Sequence, residues 1–418
     1  MKKKFFFVTA NVGSLFEESC RIHNGWLTTI VQEIENSKAV FVVIHMQEVG
    51  GKNYEECVQQ VPGLVQNLQN ELEKFGYSTG RAYMDLEYEL EDSYTALGSL
   101  FFIHDSSLQL FEQYNFTSKQ FLKLDEGFIL MTKNLDNSEF LIKEKFPTHF
   151  CPAIVRWRRK GYLHCRFRYN SMQFDLVNVH LFHDESNIAL IHENPSLYSD
   201  NRKRALNYVL EEASKLACGS QPLFVFGDLN FRLDPPSFLN RITEDGDLRL
   251  EAVDGYTSGN LIETAVNELS KKDDANLGDS LRRTVSAIEF RRSPYGSRTD
   301  LPSSCILRIE KKRFDYFNHK KLLSEWHVYL EDDKEAKNFP SLNELPICFP
   351  PTYPWSEDPD ESKTFMKTRA PAWCDRILMN DPAYSLVTSD RKATYDSIGK
   401  EICMGDHKPV VLSFSIPG

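Results

Sequence analysis

Seven short runs of apolar residues, mostly β-branched or aromatic, recur along the sequence and constrain its fold more than any other feature. They lie at residues 5–9, 40–45, 97–103, 174–181, 223–226, 376–379 and 410–416. Runs of this length and composition are typical of strands buried in a sheet. Between them, residues 26–34, 64–72 and 202–216 place apolar side chains at helical spacing. Strands that alternate with amphipathic helices predict an α/β layered domain.

Charge and length limit the classes of protein to consider. The 418 residues carry a formal net charge of −11, whereas binders of duplex nucleic acid usually present a strongly basic face. We therefore expect no nucleic-acid partner. The apolar runs are far shorter than the roughly 20 residues of a membrane span, and Thr9 ends the first run too early for a signal peptide.

The nine cysteines indicate the compartment. Their number is odd and no C-x-x-C pair occurs, which is typical of reduced thiols rather than of a disulfide framework or a zinc site. We expect a cytoplasmic protein.

The segment after the run at 223–226 carries the strongest chemical signal. Gly227 is expected to let the backbone turn sharply, after which Asp228 and Asn230 would point the same way. An aspartate that orients water beside an asparagine that holds a phosphate oxygen suits hydrolysis of a phosphate ester. Taken alone, the pair is equally typical of an Asx turn at a strand end.

Two further segments could supply an acid–imidazole pair. His407 precedes the run at 410–416, and an imidazole can donate a hydrogen bond to phosphate near neutral pH. Asp375 enters the run at 376–379 and could hold such an imidazole protonated. The plainer alternatives are a surface histidine and a structural pair between Asp375 and Arg376.

Glu48 is the candidate metal ligand. It follows the run at 40–45 after Met46 and Gln47, at the end of a predicted buried strand, where a carboxylate is costly without a cation. Magnesium prefers oxygen ligands and often uses one or two carboxylates. An ordinary solvated glutamate is the alternative. Asn11 follows the first run and His180 lies near the end of the run at 174–181, although an isolated His180 would more often be a core histidine.

Basic residues concentrate in two places. Arg158 and Lys160 belong to a group at 156–168, and Lys367 and Arg369 to a second group at 363–369. A solvated surface explains most such residues. A substrate with several phosphates needs a few of them, because lysine and arginine bind phosphate well.

Taken together, these segments resemble the inositol polyphosphate 5-phosphatase family, within the wider deoxyribonuclease-I-like group of phosphoesterases. The motifs that carry the resemblance are GDLNFRL at 227–233, PAWCDRIL at 371–378 and DHKPV at 406–410, in the order of the family. Similarity to type I members extends over residues 5–416, through VTANVGSLF at 8–16, QEVGGKNYE at 47–55 and HLFHD at 180–184.

The resemblance implies a fold and an activity. The fold is a four-layer α-β-β-α sandwich of two packed sheets, the deoxyribonuclease-I-like endonuclease/exonuclease/phosphatase fold. The activity is Mg²⁺-dependent release of the 5-phosphate from soluble inositol 1,4,5-trisphosphate and inositol 1,3,4,5-tetrakisphosphate, which ends a calcium-mobilising signal. The partner would be a small-molecule inositol phosphate, bound by a monomer.

The resemblance also implies roles for individual residues. The metal would be held by Glu48, Asn11 and Asp406. Asp228 would activate water, Asn230 and His180 would hold the phosphate, and His407 would hydrogen-bond it while polarised by Asp375. Further substrate contacts would come from Arg158, Lys160, Tyr353, Lys367 and Arg369. The number of metals and the identity of the base stay open.

Two departures from the family affect the prediction. Lipid-cleaving relatives carry a lysine after the tyrosine, where this sequence has Pro354 after Tyr353, which favours soluble substrates. Type I members tend to end in a prenylated cysteine, whereas this sequence ends at Gly418. We expect peripheral association with the plasma membrane only if a lipid anchor lies outside this sequence.

The organisation expected is one catalytic domain over residues 1–418, with a polar insertion at about 240–304 that contains a helical stretch near 261–269. Three other functions remain alternatives: a phosphoinositide lipid 5-phosphatase, a nuclease on the same scaffold, and a binding module without activity. Competent side chains at every site position argue against the last.

Overall fold

The computed structural model describes residues 2–16, 19–150, 159–188, 196–217, 219–243, 246–252, 255–257, 285–292 and 305–417. Its helices are α1 (Ser19–Ser37), α2 (Tyr54–Cys57), α3 (Val61–Glu73), α4 (Leu197–Leu216), α5 (Pro235–Ile242), α6 (His319–Ser324) and α7 (Asp381–Thr388). No helix in these ranges combines the length and apolar character needed to cross a bilayer.

The strands are β1 (Lys3–Asn11), β2 (Phe41–Gln47), β3 (Thr79–Met84), β4 (Gly98–Ile103), β5 (Phe111–Asn115), β6 (Gln120–Lys123), β7 (Phe128–Met131), β8 (Ile142–Lys145), β9 (Gly161–Tyr169), β10 (Met172–His180), β11 (Leu223–Asp228), β12 (Gly246–Ala252), β13 (Gly255–Thr257), β14 (Val285–Arg292), β15 (Cys305–Glu310), β16 (Arg313–Tyr316), β17 (Asp375–Met379), β18 (Thr394–Ser397) and β19 (Val410–Ile416). All seven predicted strands are present, each with bounds within about two residues of the apolar run that predicted it.

Two large sheets form the centre of the protein. The first has the strand order β18-β19-β1-β2-β4-β3-β7, and the second has the order β17-β11-β10-β9-β5-β6, with β8 also paired to β9. The pairs β1–β2 and β10–β11 are parallel, so the carboxyl ends of these strands lie at one edge of their sheets. Polar residues that follow those strands are therefore brought to a common edge.

Aromatic side chains fill the space between the two sheets. Phe5, Phe7 and Phe41 of the first sheet and Phe174 and Phe226 of the second are at most 1% exposed. The rings of Phe7 and Phe226 stack across the gap with centroids 5.6 Å apart. Such pairs each contribute about 0.5–1.5 kcal/mol beyond the burial of their area. The alternation of large apolar residues in β1 and β2 therefore fixes how the sheets face each other.

Helices cover the outer faces. The apolar faces of α1 and α3 pack with the outward residues of β1 and β2, and α4 packs with the outward residues of β10 and β11. The layers are thus helix, sheet, sheet and helix, as predicted.

Local capping fixes where β17 gives way to a helix. The side chain of Asn380 accepts a hydrogen bond from the backbone N–H of Ala383 at 3.0 Å, and Pro382 lies in the first turn of α7. An asparagine cap satisfies one of the free N–H groups of a helix start. The chain therefore leaves the sheet immediately after Met379.

A third sheet lies partly in the range predicted as a polar insertion. Its order is β13-β12-β14-β15-β16, and Ile288 and Phe290 of β14 join the core that also contains the aromatic side chains between the main sheets. The sequence prediction did not include this sheet. The helical stretch predicted near 261–269 lies outside the described residues. The proposal of one domain with an insertion stays a prediction.

Candidate active site

Three predicted site residues lie side by side on adjacent strands of the second sheet. His180 at the end of β10 is paired in register with Asp228 at the end of β11, and Asp228 is paired with Asp375 at the start of β17. All three side chains are buried. The register of the sheet therefore places an imidazole and two carboxylates in one row.

The end of the first sheet faces this row. The amide of Asn11 donates to Asp228 Oδ2 at 3.0 Å, and His180 Nε2 lies 3.8 Å from Glu48 Oε1. Asn11 ends β1 and Glu48 directly follows the parallel strand β2. Residues from two sheets thus converge on one cleft.

His407 forms a charged pair within the cleft. Its Nδ1 lies 2.8 Å from Asp375 Oδ2, and its Nε2 lies 4.0 Å from Asp228 Oδ2. Burial alone would lower the pKa of His407, but the two carboxylates outweigh burial and raise that pKa to about 10. Burial raises the pKa of Asp375 to about 6, with the charge of His407 opposing it. At neutral pH the pair is therefore an imidazolium and a carboxylate.

Asp228 is ionised at the centre of the cleft. Burial would raise the pKa of its carboxyl, but the charge of His407, the hydrogen bond from His180 and the charge of Lys160 outweigh burial and hold that pKa well below its usual range. Its Oδ2 also lies 3.2 Å from His180 Nε2. The carboxylate is thus ionised, and a hydrogen-bond acceptor, at neutral pH.

Asn230 adopts the left-handed backbone conformation that asparagine tolerates, with φ of 52°. Its N–H donates to Asp228 Oδ1 at 3.0 Å, which is the Asx turn given as the plainer alternative. The side-chain amide donates to Leu181 O at 3.1 Å and accepts from Arg232 at 3.0 Å. One amide N–H is left for another acceptor.

Gly227 is required for a different reason from the one predicted. It lies inside β11 rather than in a turn, and a Cβ built on it would meet the carbonyl oxygen of Val179 at 1.8 Å. Only glycine allows β10 and β11 to approach this closely at the site. The expectation of a sharp turn at Gly227 was wrong.

Glu48 has features of a metal ligand. Its backbone is in the left-handed region with φ of 55°, a conformation that costs a non-glycine residue roughly 1–3 kcal/mol and clusters at functional sites. Burial would raise the pKa of Glu48, but the charges of His180, Arg159 and Lys160 lower it to about 2. The carboxylate is therefore ionised in an otherwise crowded cleft.

Gly13 lets the backbone approach two oxygen atoms closely. A Cβ at Gly13 would lie 2.7 Å from Glu48 Oε2 and 3.3 Å from Asn11 Oδ1, and the N–H of Gly13 donates to Asn11 Oδ1 at 3.0 Å. A carboxylate and an amide oxygen at one point are the kind of ligand that a hard divalent cation such as Mg²⁺ prefers. A second set of potential ligand atoms, on Asp228, Asp375 and His407, lies within 4.8 Å in the described part of the chain.

Asp406 lies near Gly13, through its contact with Ser14. Its carboxylate accepts from Ser14 Oγ at 2.7 Å and lies 3.7 Å from Lys52 Nζ. Ser14 follows Gly13 directly, so the structure brings Asp406 near the predicted ligands. Its role toward a metal stays a prediction.

Lys160 contributes a buried positive charge. It is 5% exposed and its ammonium contacts His180 Nε2. Burial lowers the pKa of Lys160 to about 8, against the raising effect of Glu48 and Asp228. The neighbouring Arg158, also predicted to bind substrate, lies outside the described residues.

The ring of Tyr353 packs against the imidazole of His407 at an interplanar angle of 37°. The ring centroids of Tyr353 and His407 are 4.6 Å apart. The guanidinium carbon of Arg232 lies over the Tyr353 ring, 4.8 Å from its centroid. Arg232 was not among the predicted site residues. The signal for it was present, because Arg232 belongs to the GDLNFRL motif, but the sequence does not show which motif positions face the cleft.

The two cations of the second basic group are engaged with protein partners. Lys367 Nζ lies 2.8 Å from Asp315 Oδ1. Arg369 donates to Asn187 Oδ1 at 2.6 Å and to the carbonyl oxygen of Asp184 at 3.0 Å. Their predicted role in substrate binding stays a prediction.

Comparisons with known proteins agree with the fold and the motifs. A model of the Endonuclease/Exonuclease/phosphatase family 2 matches residues 306–413, in keeping with the predicted deoxyribonuclease-I-like fold. A Caenorhabditis elegans protein named as a probable type I inositol 1,4,5-trisphosphate 5-phosphatase is 51% identical over 415 residues, which cover 99% of this chain and 100% of that protein. Human inositol polyphosphate-5-phosphatase A is 38% identical over 98% of this chain and 93% of its own length.

Among solved structures, the inositol polyphosphate 5-phosphatase domain of a synaptojanin, in complex with inositol 1,4-bisphosphate and calcium ion, has a TM-score of 0.46. It is 16% identical and the alignment covers 100% of this chain and 84% of that one. The assignment to a family therefore rests on the sequence identity to the two relatives over almost the full chain.

Proposed function

This chain belongs to the inositol polyphosphate 5-phosphatase family of hydrolases. We propose that it removes the 5-phosphate of soluble inositol 1,4,5-trisphosphate and inositol 1,3,4,5-tetrakisphosphate. The observation that supports this most directly is the convergence of Glu48, Asp228 and His407 in one cleft. Two buried histidines and a buried lysine line the same cleft, which suits a phosphate and its neighbouring negative charge.

The roles follow from the contacts. Asp228, held by Asn11 and by the backbone of Asn230, has a fixed acceptor that orients a water molecule toward phosphorus. The water oxygen forms the new bond to phosphorus while the bond from phosphorus to the inositol oxygen breaks, giving inorganic phosphate and an alcohol. The cation of His407 and the remaining amide N–H of Asn230 donate to phosphoryl oxygens as their charge develops.

The charged side chains of the cleft are its main means of accelerating hydrolysis. Uncatalysed hydrolysis of phosphate monoesters is so slow that enzymes accelerate it by up to about 10²¹-fold. Positioning and electrostatic stabilisation supply most of the acceleration in phosphoryl transfer. The buried thiol of Cys374 has its pKa raised well above the usual value by burial, so we propose no covalent step through it.

The oxygen atoms of Glu48 and Asn11 converge beside Gly13 and would hold a divalent metal. Such an ion supplies Lewis-acid stabilisation of a phosphoryl or leaving oxygen when bound. We expect EDTA to abolish phosphate release and added Mg²⁺ to restore it. Activity that persists in EDTA would contradict the metal requirement.

Glu48→Gln tests the same assignment at one residue. Loss of a charged ligand should raise the Mg²⁺ concentration for half-maximal activity by about 10- to 100-fold, as expected for a charged interaction. Mg²⁺ should also raise the unfolding temperature of the wild type more than that of the variant. The matched control is Glu56→Gln on the exposed surface of α2, which should behave like the wild type in both measurements.

The substrate assignment is tested by phosphate release from a panel of purified substrates. We expect soluble inositol 1,4,5-trisphosphate and inositol 1,3,4,5-tetrakisphosphate to be hydrolysed with kcat/KM at least about tenfold above that for phosphatidylinositol 4,5-bisphosphate in vesicles, a difference of about 1.4 kcal/mol. Pro354 after Tyr353, where lipid-cleaving relatives carry lysine, is the feature that favours this order. Preference for the vesicle substrate, or for nicked or abasic DNA, would overturn it in favour of a lipid phosphatase or a nuclease.

A further inference from the structure

The side chains between the two main sheets change from apolar to polar as they approach the cleft. Successive side chains of a strand point to opposite faces, so alternate residues of β10 face the first sheet. In chain order these are Phe174, Leu176, Asn178 and His180. In β2 the last such position before Glu48 is Gln47. Apolar packing therefore gives way to amide side chains immediately before the site residues.

The amides of Gln47 and Asn178 form a hydrogen bond across the gap between the sheets. Gln47 Nε2 donates to Asn178 Oδ1 at 2.8 Å, and both side chains are 0% exposed. Gln47 belongs to the first sheet and Asn178 to the second. The bond therefore joins the two sheets directly at the end nearest the cleft.

The Gln47–Asn178 pair also bonds to neighbouring strands. The amide nitrogen of Asn178 donates to the carbonyl oxygens of Met46 at 3.1 Å and of Gly98 at 2.8 Å, which belong to β2 and β4. On the other side, Thr9 Oγ1 of β1 donates to Gln47 Oε1 at 3.3 Å. The pair thus connects one strand of the second sheet with three adjacent strands of the first.

Hydrogen bonds fix the separation of the sheets within a narrower range than apolar packing does. A bond from an amide N–H to an oxygen keeps a donor–acceptor distance of about 2.7–3.2 Å, whereas apolar side chains can repack with small shifts. A buried amide that loses its partner also has no water to replace it. The Gln47–Asn178 pair therefore resists both separation and sliding of the two sheets.

The residues that follow the pair belong to the active site. Glu48 directly follows Gln47, and its conformation is thus linked to the end of β2. His180 lies two residues beyond Asn178 on β10, and its Nε2 is 3.8 Å from Glu48 Oε1. A fixed separation at the amides therefore fixes the separation of the site residues that come from different sheets.

We propose that the Gln47–Asn178 pair positions the active site, by holding Glu48 of the first sheet at a fixed distance from His180 and Asp228 of the second. The proposal rests on the proposed function. Both amides are fully buried, so they act through their neighbours in the chain and are positioning residues. Because a misplacement of about 1 Å between reacting groups costs about 10²-fold in rate, small shifts of one sheet are enough to matter.

Gln47→Met tests the proposal, because methionine has a similar length and shape but forms no such hydrogen bond. We expect kcat for phosphate release from inositol 1,4,5-trisphosphate to fall by about 10- to 100-fold. Glu48 and Asn11 both come from the first sheet and keep their relative positions. The Mg²⁺ concentration for half-maximal activity, and the rise in unfolding temperature that Mg²⁺ causes, should therefore match the wild type.

Gln113→Met is the matched control. Gln113 on β5 forms another amide bridge between the sheets, since its Nε2 donates to the Tyr83 hydroxyl on β3 at 2.9 Å, and it is 3% exposed. In the second sheet β9 separates β5 from β10, so this bridge lies away from the cleft. We expect Gln113→Met to lower the unfolding temperature about as much as Gln47→Met does and to keep the kcat of the wild type.

Asn178→Ala removes the same pair from the second sheet and keeps the test valid if Gln47→Met does not fold. Its kcat should fall by the same order, measured below its unfolding temperature. The double variant should be little slower than either single one, because both substitutions remove one shared interaction.

A kcat for folded Gln47→Met within about threefold of the wild type would overturn the proposal, because apolar packing would then be sufficient to place the site residues. An equal loss of kcat in Gln113→Met would overturn it too, since activity would then follow stability anywhere in the core. A raised Mg²⁺ requirement in Gln47→Met would show that the substitution acts on Glu48 alone. A wild type that releases no phosphate would instead contradict the proposed function, so the two failures are distinguishable.

Discussion

Asp228→Asn is expected to lower kcat by about 10³–10⁴-fold while leaving the protein folded. A positioned acid or base contributes about 10²–10⁴-fold, and Asp228 is the buried carboxylate that contacts both Asn11 and His180. The substitution keeps the size of the side chain but removes its charge and one acceptor oxygen. The measurement is phosphate release at saturating substrate, with thermal unfolding to confirm the fold. A kcat within tenfold of the wild type would contradict the role of Asp228.

Asp175→Asn is the control that separates this chemistry from the cost of changing a buried charge. Asp175 is 2% exposed on β10, pairs with Arg166 at 2.7 Å and lies five residues, about 16 Å, before His180. Removing one member of a buried pair costs about 3–5 kcal/mol of stability. We therefore expect Asp175→Asn to unfold at a lower temperature and yet to retain near-wild-type kcat below that temperature.

The two main sheets could be predicted because their strands are apolar on both faces. In β2, for example, Val42 and Ile44 face α1 and α3 while Phe41 and Val43 face the second sheet, so the whole run is hydrophobic. Such runs are visible without any knowledge of the partners. The last strand, β19, was predicted with the bounds that the structure shows.

The third sheet could not be predicted on the same grounds. Its strands β12 and β14 carry charged residues such as Arg249 and Glu289, which give the segment the composition of a polar loop. Glu289 is nevertheless buried, because Arg291 and Arg308 pair with it from the same and the neighbouring strand. Cross-strand ion pairs of this kind depend on register, which a polar sequence specifies weakly.

Much of the candidate site was accessible from the sequence, because strand ends in parallel pairs share an edge. Asn11, Glu48, His180 and Asp228 are all of this type. The hydrogen-bond partners of the lysine and arginine side chains could not be predicted from the sequence. Arg369 reaches Asn187 across 182 positions of sequence, so the sequence alone could not show that its donors are engaged in the fold. The local sequence pattern predicts which strand end a residue occupies. Only the packed structure shows which acceptor its side chain bonds to.

His407→Asn is expected to lower kcat by about 10²–10³-fold, as the loss of one preorganised donor to a developing charge does. The imidazolium exists because Asp375 and Asp228 flank it at 2.8 and 4.0 Å. Asparagine can still donate to a phosphoryl oxygen, but it carries no charge and is too short to contact both the substrate and Asp375. Since Asp228 and the proposed metal ligands Glu48 and Asn11 are untouched, KM and the Mg²⁺ dependence should change little.

Asp375→Asn then tests whether the charge on His407 is what matters. It leaves the imidazole in place but removes the carboxylate that holds it protonated, so kcat should fall by about the same order as in His407→Asn. The double variant should be little worse than either single one, because both changes remove the same interaction. Fully multiplicative losses would show that the two residues act independently, and the assignment of Asp375 to His407 would have to be abandoned.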